Sequence, residues 1–154
     1  MASHAPTSYV CPFCLLVTGV ENEQVLSHQS DIVYKDAVVT AFIGAKQWPY
    51  TPGHVLIVPY LHVDSLATLP AAAAEEMIRT AQRLETTLHK VYTPDGINIG
   101  MNLGQAAGAG VAGHIHMHQL PRWYGDTNFM TVTAETRVLP ETLEVTLERL
   151  RYNF

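Results

Sequence analysis

A chain of 154 residues is the length of one domain, and with 47% hydrophobic against 15% charged residues it has enough apolar surface for a core and too little charge for a disordered chain. Nine Lys and Arg, scattered along the chain within a net charge of −5, exclude an electrostatic grip on DNA or RNA, though not a small anion held by backbone amides and histidines. Eight histidines beside nine basic residues is an unusual ratio, and the histidine positions carry the information.

Residues 1–8, rich in Ala, Ser, Pro and Thr, read as a mobile N-terminal arm ahead of a single domain over 9–154. They have neither the basic start nor the apolar run of a signal peptide, so the expected compartment is the cytoplasm. Cys11 to Val17 form a short turn or helix. The β-branched runs 31–34 and 37–43, separated by Lys35-Asp36, predict a hairpin. A Pro/Gly loop follows at 48–54, in which Trp48 and Tyr50 are expected to pack, and the apolar run 54–59 predicts a buried strand. Leu69 to Tyr92 is the strongest helix, with Pro70 in its first turn and Met77, Ala81, Leu84, Leu88 and Val91 on one apolar face. Pro94-Asp95-Gly96 ends it. Ile97, Ile99, Met101 and Leu103 then alternate with polar or small residues, which predicts a strand with one apolar face. Residues 104–113 form a Gly/Ala loop, and 114–120 alternate again as a strand. Pro140 opens a last helix with Leu143, Leu147 and Leu150 on one face.

Residues 96–121 lack any Asp, Glu, Lys or Arg and place glycines at 96, 100, 104 and 108, a spacing used by packed membrane helices. Asn98, Asn102, Gln105 and three histidines make the segment too polar to span a bilayer, so no membrane association is expected. Strands in the first and third quarters with one long helix between them give an α+β class with an antiparallel sheet.

The sharpest feature is His114-Ile-His-Met-His-Gln-Leu120. On a strand, His114, His116 and His118 share one face. Three imidazoles there can hold a catalytic metal, or one can attack phosphorus while a neighbour handles protons. The glycine-rich loop just upstream offers unhindered N–H groups of the kind that cradle phosphate. A polar strand face without function is the competing reading, but such a run brings no folding benefit, since strands favour β-branched and aromatic residues.

Cys11 and Cys14 form a C-x-x-C pair. Two cysteines are too few for a disulfide framework. The spacing suits two thiolate ligands of a closed zinc site, a redox pair, or two ordinary cysteines. Against the redox reading, only ten residues precede Cys11 and none forms a convincing strand.

The run 114–120 resembles the signature of the histidine triad (HIT) family, His-φ-His-φ-His-φ-φ, with Gln119 at an apolar position. The likeness extends to Pro52-Gly53-His54 through Pro59 and His62, to the strand 98–104, and to Pro121-Arg122-Trp123 with 125–129, which is similar to the diadenosine tetraphosphate phosphorylase-like and hydrolase branch. It spans about residues 9–152. The resemblance implies a sheet of about five antiparallel strands with one long helix and a C-terminal helix, and a homodimer joined through helix and sheet edge. It implies that His116 attacks the α-phosphorus of a nucleotide to form a nucleotidyl-histidine. His118 then contacts the α-phosphate and the leaving oxygen, and water or phosphate releases the mononucleotide. The amides of 108–111, in particular Gly108, Gly110 and Val111, would hold phosphate together with Asn102. Phe42, beside Phe13, Leu16 and Ile43, is a candidate for the base slot, and Trp123 for stacking on a base. Arg122 is the candidate for a second anion pocket that would admit phosphate as acceptor.

Members with an N-terminal C-x-x-C imply a structural zinc on Cys11, Cys14, His62 and His114, with no organic cofactor. This chain departs from the family in two places. Gly110-Val111 stands where many members have Gln-Ser or Gln-Thr, and Gly44, or Lys46 with a gap, stands where an acidic residue usually holds the ribose. His54 is expected to pack at its strand start. The leading expectation is cleavage of a dinucleoside polyphosphate. A nucleoside phosphoramidate or adenylylated-amine hydrolase, a nucleotide-binding regulatory module and a three-histidine zinc hydrolase are the alternatives.

Overall fold

A computed structural model describes residues 10–20, 27–44, 51–133 and 139–154. The expected arm 1–8, Lys46, Trp48 and Tyr50 lie outside these. Five strands, β1 (Ile32–Lys35), β2 (Val39–Ile43), β3 (Val55–Pro59), β4 (Gly96–Gly100) and β5 (Met117–Arg122), form one antiparallel sheet in the order β1-β2-β3-β5-β4. Among the described residues four α-helices accompany them: α1 (Pro12–Thr18), α2 (Ala71–Tyr92), α3 (Phe129–Thr133) and α4 (Leu143–Asn153). This is the expected α+β class; α3 was not foreseen. No described helix is long and apolar enough to cross a membrane.

The β1–β2 hairpin turns where Lys35-Asp36 predicts it. The Asp36 carboxylate accepts the N–H groups of Val38 and Val39 at 2.6 and 2.8 Å, which closes the turn. Strands β2 and β3 are buried on both faces, as expected of a central apolar run. Their alternate residues divide the core in two. Val39, Ala41, Ile43, Val55 and Ile57 pack with Ala73, Met77, Ala81, Leu84 and Leu88 of α2. Phe42, Leu56 and Val58 face the opposite way and pack with Phe13 and Leu16 of α1. The predicted stripe of α2 is therefore its core face, with Val91 only half-buried. Pro70 sits one position before the helix as its N-cap rather than inside the first turn, and a proline loses no helical N–H there.

Three predicted boundaries move by three residues. The strand expected through Leu103 ends at Gly100, and its apolar residues Ile99 and Leu103 stand 50% and 44% exposed, because β4 is an edge strand beyond the cover of α2. The strand expected from His114 begins at Met117. By register Pro59 would face Ile115, and Pro59 has no N–H to offer, so Ile115 leaves the ladder and donates to Val63 O at 2.7 Å. Finally, α4 starts at Leu143 rather than Pro140, since the Thr142 side chain accepts from Val145 N–H and caps it.

Candidate functional site

The offset start of β5 separates the three histidines into different surroundings. His114 lies before the strand, wholly buried. Its Nε2–H donates to Pro59 O at 2.9 Å, which leaves the Nδ1 lone pair facing the cysteines. Nδ1 is 3.4 Å from Cys11 Sγ and 3.7 Å from Cys14 Sγ, and Cys14 Sγ is 3.1 Å from His62 Nδ1. The four ligand atoms all lie within 4.8 Å of one another. A tetrahedral zinc with ordinary Zn–S and Zn–N bonds has sulfur-to-nitrogen edges of about 3.5 Å, so the donor set and spacing fit that ion. The hydrogen bond to Pro59 O is the outer contact that normally fixes a ligating imidazole. Burial and the adjacent Cys11 push the Cys14 thiol up to about 11, the cost of packing two thiols together that a divalent cation would reverse. The sequence expectation for this quartet is matched in geometry by residues up to 103 positions apart.

His116 is 5% exposed. Its Nδ1–H donates to His114 O at 2.9 Å, so Nε2 carries the free lone pair. Burial holds its pKa below the usual histidine value, which keeps the ring neutral at pH 7. His118 lies 5.1 Å away, centroid to centroid. Burial, then the neighbouring His116, lower His118 to about 4. Its Nδ1 is 3.0 Å from Nε2 of His54, and its own Nε2 is buried with no hydrogen-bond partner among the described residues. A buried imidazole nitrogen in that state calls for a ligand oxygen or water.

His54 is more than a packed strand start. It is the diagonal cross-strand neighbour of His118 and stacks on it at 5.2 Å. Burial, then His118 and His116, lower it to about 3. The alignment of the 54–59 run against 114–120 was the signal that could have found this pair. Gly44 backs onto the same ring: a Cβ at 44 would stand 3.2 Å from His54 Nδ1. A side chain at the position where an acidic residue is expected would therefore meet His54 first.

Among the remaining candidates, Asn102 donates through Nδ2 to Gly108 O at 3.4 Å and ties the end of β4 to the glycine loop. Gly108 takes φ +91°, and Gly110 has open space where a side chain would stand, so both leave the loop's backbone accessible. Val111 packs against the core on the α1 side. Phe42 is completely buried there, 5.8 Å from the Phe13 ring. Arg122 and Trp123 are not brought to the histidines. Arg122 lies four residues, roughly 13 Å of strand, past His118. Its guanidinium is engaged by Asp126, by Asn98 at 2.7 Å and by Thr127 at 3.2 Å. Trp123 packs edge-on against Tyr92 at 6.3 Å.

Residues 26–124 match the family model described as HIT domain. The chain belongs to the HIT family. A relative named AP-4-A phosphorylase from Mycobacterium tuberculosis is 35% identical over 126 residues, 82% of this chain and 64% of that protein. The chain therefore spans less than two thirds of that relative's length. A bis(5'-nucleosyl)-tetraphosphatase (asymmetrical) from Schizosaccharomyces pombe is 31% identical over 97 residues, 63% of this chain and 52% of the relative. A crystal structure of a zinc-bound histidine triad family protein from Mycobacterium smegmatis superposes with a TM-score of 0.72 at 29% identity, covering 93% of this chain and 91% of that one. In this HIT protein Cys11, Cys14, His62 and His114 form a possible metal site, and the neighbour that binds zinc supports a structural zinc there.

Proposed function

We propose that the chain is a nucleotidyl transferase or hydrolase that cleaves a dinucleoside polyphosphate, of the diadenosine tetraphosphate kind, at the α-phosphorus. The observation that carries this reading is the setting of His116: buried, and tied through Nδ1 to His114 O, which leaves Nε2 to act as the nucleophile. Nε2 attacks phosphorus, and the bond from phosphorus to the bridging oxygen of the leaving polyphosphate breaks. His118, whose Nε2 has no partner among the described residues, supplies the hydrogen bond to the phosphate and leaving oxygens. Water or inorganic phosphate then attacks the nucleotidyl phosphorus, the P–N bond breaks, and neutral His116 returns. A covalent intermediate divides one difficult displacement into two easier ones. The amides of the 108–111 loop and Asn102 offset the phosphate charge, and Phe13, backed by the fully buried Phe42, stands on the base side. Arg122 and Trp123 serve to shape the Asp126 turn, away from the reacting phosphorus. The names of the M. tuberculosis and S. pombe relatives support the substrate class. A homodimer along the exposed β4 edge and a cytoplasmic location complete the reading.

A three-histidine metal hydrolase is disfavoured by the nitrogen inventory. His114 spends one nitrogen on Pro59 O and turns the other to the sulfurs, so only His116 Nε2 and His118 Nε2 remain. The test is incubation with diadenosine polyphosphates and nucleoside phosphoramidates, with and without phosphate, followed by product separation. ADP and ATP from diadenosine tetraphosphate, dependent on added phosphate, identify phosphate as acceptor. AMP and ATP without phosphate identify water. Turnover of phosphoramidates alone, or of nothing, rejects the substrate class. His116→Ala should lose roughly 10³–10⁶-fold in kcat, as expected for removing a nucleophile, while keeping its fold and AMP binding. An active His116→Ala protein refutes the mechanism.

A further inference from the structure

The segment Cys11-Pro-Phe-Cys14 delivers more than two metal ligands. Phe13 lies between them, and its ring packs edge-on against the cluster's own His114 at 5.6 Å and reaches beyond it to His116 at 5.0 Å and Phe42 at 5.8 Å. Helix α1 has only seven residues, too few to persist on intrinsic propensity. What holds it is the small core around Phe13 and Leu16, a hydrogen bond from the Gln29 side chain to Leu16 O, and the cysteines facing His62 and His114. His114 supplies the second connection. Its Nδ1 faces the sulfurs while its main-chain oxygen holds Nδ1–H of His116, so one residue borders both sites.

We propose that the metal site positions the nucleophile. With metal on Cys11, Cys14, His62 and His114, Phe13 is clamped against the His116 ring and the His114 carbonyl is fixed, and together these set the orientation of His116. Phe13 is a positioning residue in this scheme. A purely structural metal would raise stability and leave His116 indifferent to its loss. The proposal rests on the reading of His116 as nucleophile, but its principal test requires no nucleotide.

That test is histidine modification by diethyl pyrocarbonate, mapped residue by residue by mass spectrometry, with exposed His89 as the internal reference. It is run on protein holding one zinc per chain, after chelation, and after zinc is returned. Stripping should raise the His116 rate relative to His89 by roughly five-fold or more, the lower end of ordinary site-to-site coupling, and zinc should restore it. Phe13→Ala with zinc still bound should show the same rise, and Phe13→Leu a smaller one in the same direction should Phe13→Ala not fold. If stripping unfolds the chain, as read by circular dichroism, the zinc-loaded Phe13 variants decide alone. An unchanged His116 rate in stripped, folded protein overturns the proposal, as does wild-type protection in the zinc-loaded Phe13 variants. A second arm compares the zinc dissociation constant with and without AMP. Reciprocity requires AMP to tighten zinc by the factor by which zinc tightens AMP, and Phe13→Ala should bring that factor toward one. AMP binding without such coupling overturns the proposal. Failure of the loaded protein to bind AMP at all overturns the nucleotide reading instead, and the modification result stands separately.

Discussion

Gly53→Ala is the substitution whose cost the structure specifies most fully. Gly53 takes φ +75°, where an L-residue pays about 1–2 kcal/mol. A Cβ there would also stand 2.9 Å from Tyr92 Cε2, 3.1 Å from Leu88 Cδ2 and 3.1 Å from Pro121 Cγ. Those atoms belong to the end of α2 and to β5, and Leu88 is fully buried, so they yield only by moving packed elements. Overpacking of that kind costs about 1–3 kcal/mol. The sum, about 2–5 kcal/mol, corresponds to a fall of roughly 4–20 °C in Tm for a domain of this size. The next residue is His54, so the same displacement shifts the partner of His118 and should lower kcat more than it raises KM. The control is Gly110→Ala, where no atom lies within 4 Å of the added carbon, and stability should change by less than about 0.5 kcal/mol. Denaturant and thermal unfolding of both variants with zinc bound measure the difference. A Gly53→Ala protein within 1 °C or so of wild type would show that α2 and β5 are far softer than their packing implies, and would refute the reasoning.

Chelation, or Cys14→Ser, should lower Tm by roughly 8–16 °C, on the basis of about 4 kcal/mol of stabilisation at a thousand-fold excess of free zinc over its dissociation constant; elemental analysis without zinc would dismiss the site. Gln119 is fully buried, donates to Ala81 O at 3.1 Å, and leaves Oε1 without a partner among the described residues. Gln119→Leu should therefore fall within about 1 kcal/mol of wild type, or be more stable, because it removes an orphaned acceptor along with the hydrogen bond, whereas Gln119→Ala should lose about 2 kcal/mol or more to a cavity; a large loss in the leucine variant by denaturant titration would contradict this. His54 and His118 sit near 3 and 4 when folded and near 6.5 when unfolded, so below pH 6.5 the unfolded chain binds more protons and stability falls as pH falls toward 4. His54→Gln should give a shallower acid limb in urea-denaturation midpoints between pH 6.5 and 4, and parallel limbs would remove the pair from the acid response.

The elements that sequence rendered legible are those whose pattern repeats over many residues. Helix α2 follows its 4-3-4 spacing from Met77 through Leu88, and the doubly buried β2 and β3 follow from short apolar runs. The displaced boundaries have local causes that a pattern does not register. Pro59 faces Ile115 across strands that are distant in sequence, and that pairing moves the start of β5 past His116. Likewise Ile97, Ile99 and Leu103 alternate correctly, but alternation does not say whether anything covers the apolar side, and an edge position leaves Ile99 and Leu103 exposed.

The candidate site divides along the same line. Cys11, Cys14, His62 and His114 were legible through resemblance because ligand identity is carried by residue type and spacing, and the chain brings the four donors together. Arg122 was weighed as an anion ligand on its charge and its nearness in sequence to His118. Distance along the strand weighs against it: Arg122 is four positions, roughly 13 Å, past His118, and Asp126, Asn98 and Thr127 already engage the guanidinium. His54 shows the reverse case. Its run resembles the family, but nothing there assigns the imidazole a partner, and only the antiparallel register of β3 on β5 makes it the neighbour of His118. The three histidines of the signature thus acquire separate duties from what their second nitrogens meet. Pro59 O and the sulfurs claim His114, the His114 carbonyl claims one nitrogen of His116, and His54 claims one nitrogen of His118. On the proposed mechanism Nε2 of His116 and Nε2 of His118 are the nitrogens that meet the phosphate, so the division of labour lies in main-chain and cross-strand partners that the signature itself does not contain.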